Sequence, residues 1–162
     1  MVMKKRVLFL CTGNSCRSQM AEGILNHIAG DRFEAYSAGA KPAGYVHPLA
    51  IQTLKKMGID ISKNTSKSLD IFIHDQWDII ITVCDRAKEA CPILPGHNIN
   101  AHWGFDDPAS FSGSDEDKLK FFEKTAMEIE FRIRLLLDLP ENTPHQEYQS
   151  AIHEIGALKS AN

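Results

Sequence analysis

The chain has 162 residues, 43% of them hydrophobic and 24% charged, with a formal net charge of −3. That length is the usual size of one domain, and the balance excludes a disordered, collagen-like or coiled-coil chain. The small net charge gives no electrostatic ground for nucleic acid or an anionic membrane as partner, and no apolar run reaches the roughly 18 residues of a membrane helix.

The basic start is followed only by the short apolar run Val7 to Leu10. This is too short for a signal-peptide core, so a cytoplasmic location is expected. The same run has strand length and suggests a strand buried on both faces, as in parallel sheets. After a polar loop, Met20, Ala21, Ile24, Leu25 and Ile28 trace one face of a helix that ends at Gly30-Asp31. A second strand is expected from Phe33, stopped by Ala38-Gly39. A helix then starts near His47, with Pro48 in its first turn and Gly58 as its stop. Asp78 to Cys84 is rich in β-branched residues and reads as a central strand, and Ile99 to Trp103 as a weaker one. Between them, Asp85 to Cys91 reads as a short helix or a loop.

Ser114 with Asp115, Glu116 and Asp117 supplies an N-cap and an acidic first turn for a long helix. Its apolar stripe runs Leu119, Phe122, Ala126, Ile129, Ile133, Leu136. A polar tail with a short helix between His145 and Leu158 completes the chain. The alternation predicts an α/β fold: one domain with a central four-stranded parallel sheet, helices on both faces and a phosphate-type loop after the first strand. Residues 1–138 would form the catalytic domain and 139–162 a C-terminal extension. In such sheets ligands bind at the carboxyl ends of the strands, where the loop from Cys11 to Arg17 falls.

Four cysteines, at 11, 16, 84 and 91, stand in a chain expected to meet reducing conditions. They are inert thiols, metal ligands, or redox and catalytic groups. The C-x4-C and C-x6-C spacings depart from zinc-site windows, so no metal site is expected from them.

The stretch Cys11-Thr12-Gly13-Asn14-Ser15-Cys16-Arg17-Ser18 between a strand and a helix has a specific physical use. A loop entering a helix N-terminus presents unpaired N–H groups, and the helix dipole adds positive potential. Gly13 is expected to take the positive φ that lets amides converge, and Arg17 offers a fork for two oxygens of a tetrahedral oxyanion. In that field, with Ser18 donating to it, Cys11 is expected to be an ionised nucleophile facing the bound anion. Substrate binding is assigned to Thr12, Gly13, Asn14, Ser15, Cys16, Arg17 and Ser18. Cys16 itself reads as a small buried bystander.

This loop, with its continuation Gln19-Met20-Ala21-Glu22-Gly23, resembles the active-site loop of the low-molecular-weight protein tyrosine phosphatase superfamily, and the continuation resembles that superfamily's arsenate reductase branch. The resemblance extends through Tyr36–Gly39, Asp60–Ser62, Thr82–Cys84, Cys91–Pro95 and His102–Pro108. It implies Asp107, before Pro108, as the general acid, with Asp106 as its neighbouring competitor. It further implies a three-cysteine relay in which Cys11 attacks arsenate, Cys84 then attacks Cys11, and Cys91 then attacks Cys84. The catalytic set is thus Cys11, Arg17, Cys84, Cys91 and Asp107, with no cofactor.

Thioredoxin is the implied reductant, with glutathione and glutaredoxin as the alternative, and a monomer is expected. A phosphotyrosine phosphatase working through a Cys11 phosphocysteine is the alternative function. Ala109-Ser110 stands where such phosphatases usually carry tyrosines. A helix over 84–91 would hold the two cysteines about 10 Å apart along its axis, beyond the roughly 7 Å Cα separation a disulfide tolerates. That segment is therefore expected to rearrange on oxidation.

Asn14, Glu22 and Ser37 resemble a set that some reductases use around potassium. Lys67 stands where those members carry an acid, so a Lys67–Glu22 interaction is expected in place of the metal. His102 and Trp103 are expected under the acid loop, and His27, His47, His74 and His97 on the surface.

Overall fold

A computed structural model describes residues 3–85, 92, 94 and 99–158. The chain runs β1 (Lys5–Cys11), α1 (Arg17–Ala29), β2 (Phe33–Gly39), α2 (Pro48–Lys56), β3 (Ile79–Thr82), β4 (Ile99–His102), α3 (Asp115–Leu137) and α4 (His145–Ile155), with single 3-10 turns over Leu69–Phe72 and Pro108–Ser110. Among the described residues the sheet has four strands, all parallel, in the order β2-β1-β3-β4. No described helix is long and apolar enough to cross a membrane.

The sequence explains why β1 is central. Val7, Leu8, Phe9 and Leu10 are all fully buried, so both faces of the strand meet apolar neighbours. Val7 and Phe9 join Ile79 and Ile81 in the larger core, against Met20 and Ile24 of α1, Leu54 of α2, Ile129 and Ile133 of α3, and Ile152 of α4. Leu8 and Leu10 join Ile80 and Trp77 on the second face, against Leu69 and Phe72. Among the described residues the helical cover is therefore unequal: the long helices share the first cluster, and one 3-10 turn serves the second. Truncating any of these aliphatic side chains to Ala would cost about 2–5 kcal/mol.

Both outer strands leave backbone groups without a ladder partner, and each is met by one side-chain amide. Asn26 of α1 donates to the Ala35 carbonyl (3.0 Å) and accepts from its N–H (2.8 Å) on β2. Gln149 of α4 does the same for Asn100 on β4, at 2.6 and 2.9 Å. Such pairing blunts an edge that would otherwise template another strand.

Helix limits follow the local signals. Ser114 accepts from the Asp117 N–H and caps α3, and Gly58 takes φ 80° after α2. At the end of β2, a Cβ on Gly39 would lie 2.6 Å from the Thr12 carbonyl oxygen and 2.9 Å from the Asn14 nitrogen. Only glycine lets the loop after β1 pack there.

Candidate active site

The loop after β1 turns its carbonyls outward. Those of Cys11, Thr12, Gly13 and Ser15 accept from the N–H groups of Ala40, Lys41, Ala43 and His47 at 3.3, 2.9, 2.8 and 3.0 Å. In a trans peptide the next N–H points opposite to the carbonyl. The amides of Thr12, Gly13, Asn14 and Cys16 are thus directed to the inside of the loop. The Asn14 N–H reaches the Cys11 Sγ at 3.1 Å, and Ser18 Oγ lies 2.8 Å from the same sulfur. Cys11 is 2% exposed and a free thiol. A concave set of N–H groups at the start of α1 is a built anion site.

The left-handed turn that closes this nest sits on Asn14, with φ 47°, and not on Gly13 as the sequence led us to expect. Asparagine tolerates that conformation, and its side chain is held from three sides. Asn14 Nδ2 donates to Ser18 Oγ (2.9 Å), and Oδ1 accepts from the Lys67 N–H (2.8 Å) and from Gln19 Nε2 (2.9 Å). Gln19 also reaches the Thr65 carbonyl at 2.9 Å, tying the floor of the loop to residues 64–67. The role of Gln19 was missed from sequence. A fully buried amide in the first turn of a helix is the signal that exposes it.

Below the floor lies Glu22, whose carboxyl accepts from Ser37 Oγ and Asn64 Nδ2, both at 2.9 Å. Burial pushes this carboxyl above its ordinary range, opposed by the Lys67 ammonium and the Ser37 bond. Lys67 Nζ lies 4.0 Å from Glu22 and donates to the Thr65 carbonyl at 2.8 Å. The Lys67–Glu22 interaction expected from sequence is present, and the lysine brings a positive charge of its own to the Asn14–Glu22–Ser37 set.

Arg17 is 4% exposed. Its Nη1 donates to the Phe105 carbonyl (3.2 Å), and its Nη2 lies 3.9 Å from Asp107 Oδ2. Asp107 is itself held as the cap of the turn after it, accepting from the Ala109 N–H and from Ser110 Oγ, each at 3.0 Å. Asp106 is exposed. Of the two candidates, Asp107 is the one that stands beside Arg17. Cys16 is buried, and that burial chiefly pushes its thiol up to about 12, with the Asp107 charge adding to it. It therefore stays protonated and suits a bystander.

Val83 donates its N–H to the Leu10 carbonyl at 2.8 Å, which brings the end of β3 beside the end of β1. Cys84 follows, fully buried in the same cluster as Cys11, and it is disulfide-bonded, whereas Cys11 and Cys16 are free. Cys91 and the segment expected to rearrange lie outside the described residues, as does His97. His102 Nδ1 lies 2.7 Å from Thr82 Oγ1, and Trp103 is fully buried.

His27 and His74 are exposed as expected, but His47 is not a plain surface residue. It caps α2, its Nδ1 accepting from the Leu49 N–H at 3.1 Å, and its ring lies 4.8 Å from that of Phe122. Burial chiefly holds its pKa below the ordinary 6.5, with Asp107 pulling the other way. The fold therefore prefers the neutral ring. As pH falls below about 6.5 the unfolded chain takes up a proton that the folded one resists, so stability drops. Loss of a cap costs about 1 kcal/mol, or about 2–4 °C at this chain length. Between pH 7 and 5.5 the melting temperature should fall more steeply for the native chain than for His47→Asn, whose cap does not titrate. Parallel slopes in calorimetry would contradict this.

A parallel α/β sheet with a cysteine–arginine anion loop between its first strand and first helix defines a phosphatase-type oxyanion enzyme. The chain matches the family described as low molecular weight phosphotyrosine protein phosphatase over residues 6–149, and it belongs to that family. It is 46% identical over 131 residues to a Halalkalibacterium halodurans protein named arsenate reductase, covering 81% of this chain and 94% of that one. The crystal structure of an Archaeoglobus fulgidus arsenate reductase superposes with TM-score 0.68 at 32% identity, covering 82% of this chain and 99% of that one. A Corynebacterium glutamicum thioredoxin-dependent arsenate reductase gives TM-score 0.57 at 30% identity, covering 82% of this chain and 63% of that one.

Proposed function

We propose that the chain reduces arsenate to arsenite through a relay of Cys11, Cys84 and Cys91 that thioredoxin regenerates. The observation that carries this reading is a free Cys11 thiol inside a nest of amides, with a disulfide-bonded Cys84 at the end of the neighbouring strand. The relatives named arsenate reductase support the reaction, and the thioredoxin-dependent one supports the reductant.

The oxyanion sits on the loop amides and Arg17. The Cys11 thiolate forms an S–As bond, and hydroxide leaves as water with a proton from Asp107. Cys84, as thiolate, attacks Cys11 Sγ. The S–As bond breaks with its electron pair on arsenic, which departs as arsenite, and a Cys11–Cys84 disulfide remains. Cys91 then attacks Cys84, freeing Cys11, and the dithiol of thioredoxin reduces the resulting Cys84–Cys91 disulfide. Arsenate and phosphate share shape and charge, so slow hydrolysis of aryl phosphates is a second expected activity. Ala109 and Ser110 beside the acid offer no aromatic wall to grip such an ester.

The test is arsenate-dependent NADPH oxidation with thioredoxin and thioredoxin reductase, run beside aryl phosphate hydrolysis. The reading expects reductase turnover to dominate. Hydrolysis with no arsenate-dependent oxidation would replace it with the phosphatase reading, and oxidation supported only by glutathione and glutaredoxin would replace the reductant.

A further inference from the structure

The C-terminal extension is built into the base of the acid loop. Besides the Gln149 pair on β4, the Trp103 indole N–H donates to the Ile152 carbonyl of α4 at 2.9 Å. Tyr148, Ile152 and Ile155 are buried in the main core. Gly156 follows α4 and passes so close to β4 that a Cβ there would collide with the His102 carbonyl oxygen and lie 2.8 Å from Trp103. Ile152, Gly156 and Leu158 all lie beyond the family match at residues 6–149.

One guanidinium joins this tail to the site. Arg132, on α3, donates from Nη1 to the Gly104 carbonyl and from Nη2 to the Leu158 carbonyl, both at 3.0 Å. Its guanidinium carbon stands 4.4 Å from the centre of the Phe105 ring. The carbonyl of Phe105 is the group that accepts from Arg17 Nη1, and Asp107 follows two residues later. A planar fork with two fixed acceptors and a stacked ring holds direction as well as position, which an ammonium does not.

We propose that Arg132 is a positioning residue for oxyanion binding. Clamped against the C-terminal tail, it fixes Gly104 and Phe105, and through the Phe105 carbonyl it sets the orientation of Arg17. The inference rests on the reading of Arg17 as the oxyanion-binding arginine. It makes the extension part of the site's support, and it makes affinity for the anion sensitive to whether the tail is docked. The buried Trp103 indole, bonded to α4, reports that docking independently of activity.

The test uses the full chain with Arg132→Met and Arg132→Lys, and Asn26→Ala as a control that removes two side-chain-to-backbone bonds at the opposite sheet edge. Inorganic phosphate is the probe, measured as a competitive inhibitor alongside kcat, KM, melting temperature and tryptophan emission. Arg132→Met should weaken phosphate and raise KM by about tenfold, a size that small misplacement of a binding group produces. The change in kcat should be smaller, and Trp103 emission, read with Trp77 replaced by Phe in every variant, should shift. Arg132→Lys should recover part of the affinity. Asn26→Ala should lower the melting temperature and leave phosphate affinity within about twofold.

If Arg132→Met does not fold, Arg132→Lys and Gly156→Ala carry the test, and both should weaken phosphate. Phosphate affinity within twofold of the native chain in folded Arg132 variants overturns the inference alone. A native chain that phosphate does not inhibit overturns the reading of the Arg17 site, and this inference falls with it.

Discussion

Serine in place of Cys11 should abolish arsenate reduction and aryl phosphate hydrolysis together, each by on the order of 10⁴-fold or more. In the proposed mechanism both reactions begin with a bond from the same sulfur, and a serine hydroxyl carries almost no alkoxide at neutral pH. The substitution should leave the fold intact, because oxygen replaces sulfur at a site 2% exposed whose two neighbours, the Asn14 N–H and Ser18, bond a hydroxyl as readily. The amides and Arg17 remain, so inorganic phosphate should still bind within a few-fold of its native affinity. This separation of binding from chemistry is the informative part, and isothermal titration beside steady-state assays measures it. Cys16 is not a substitute nucleophile, since burial pushes its thiol up to about 12. Residual turnover above about one per cent in pure Cys11→Ser protein would remove Cys11 from the nucleophile's role.

What could be read from the sequence was local. Ser114 with three acidic residues places the start of α3, and Pro48 with Gly58 brackets α2, because caps and stops act within a turn of the residues that make them. The run Val7–Leu10 marks a strand buried on both faces, since no single-faced strand would carry four apolar residues in succession. Cys11, Arg17 and Ser18 are equally local, falling within the eight residues that join the end of β1 to the first turn of α1.

What could not be read depends on chain segments far apart. The positive φ belongs to Asn14 rather than Gly13 because Lys67 and Gln19 hold the asparagine amide, and neither contact is visible in an eight-residue motif. His47 resembles any loop histidine until α2 and Phe122 enclose it. Arg132 lies in a stretch of α3, Glu130 to Arg134, where charged and apolar residues alternate along the chain. Only the return of the tail to Leu158 shows what its guanidinium is for.

Cys91→Ser should divide the two chemistries that a shared anion loop leaves combined. In the proposed mechanism hydrolysis uses Cys11, Arg17 and an acid and gives Cys91 no part, so its rate should stay within about threefold of the native chain. Reduction needs an exit for two electrons. In this variant Cys84 still attacks Cys11 and releases one arsenite, but nothing then resolves the Cys11–Cys84 disulfide, and the enzyme stops after a single turnover. The expected record is one equivalent of arsenite per chain, a mass two hydrogens lighter, and loss of aryl phosphate hydrolysis in step with that burst because Cys11 is now blocked.

Dithiothreitol should restore the hydrolysis. Cys84→Ser differs in kind. The arsenic adduct on Cys11 has no internal thiol to displace it, so no burst of arsenite should appear, while hydrolysis persists in the absence of arsenate. The order of events distinguishes a relay from three independent thiols, because only a relay makes the stoichiometry depend on which cysteine is lost. Multiple turnovers by Cys91→Ser with thioredoxin as sole reductant would show that thioredoxin reaches the Cys11–Cys84 disulfide directly. Cys91 would then have no part in the reaction.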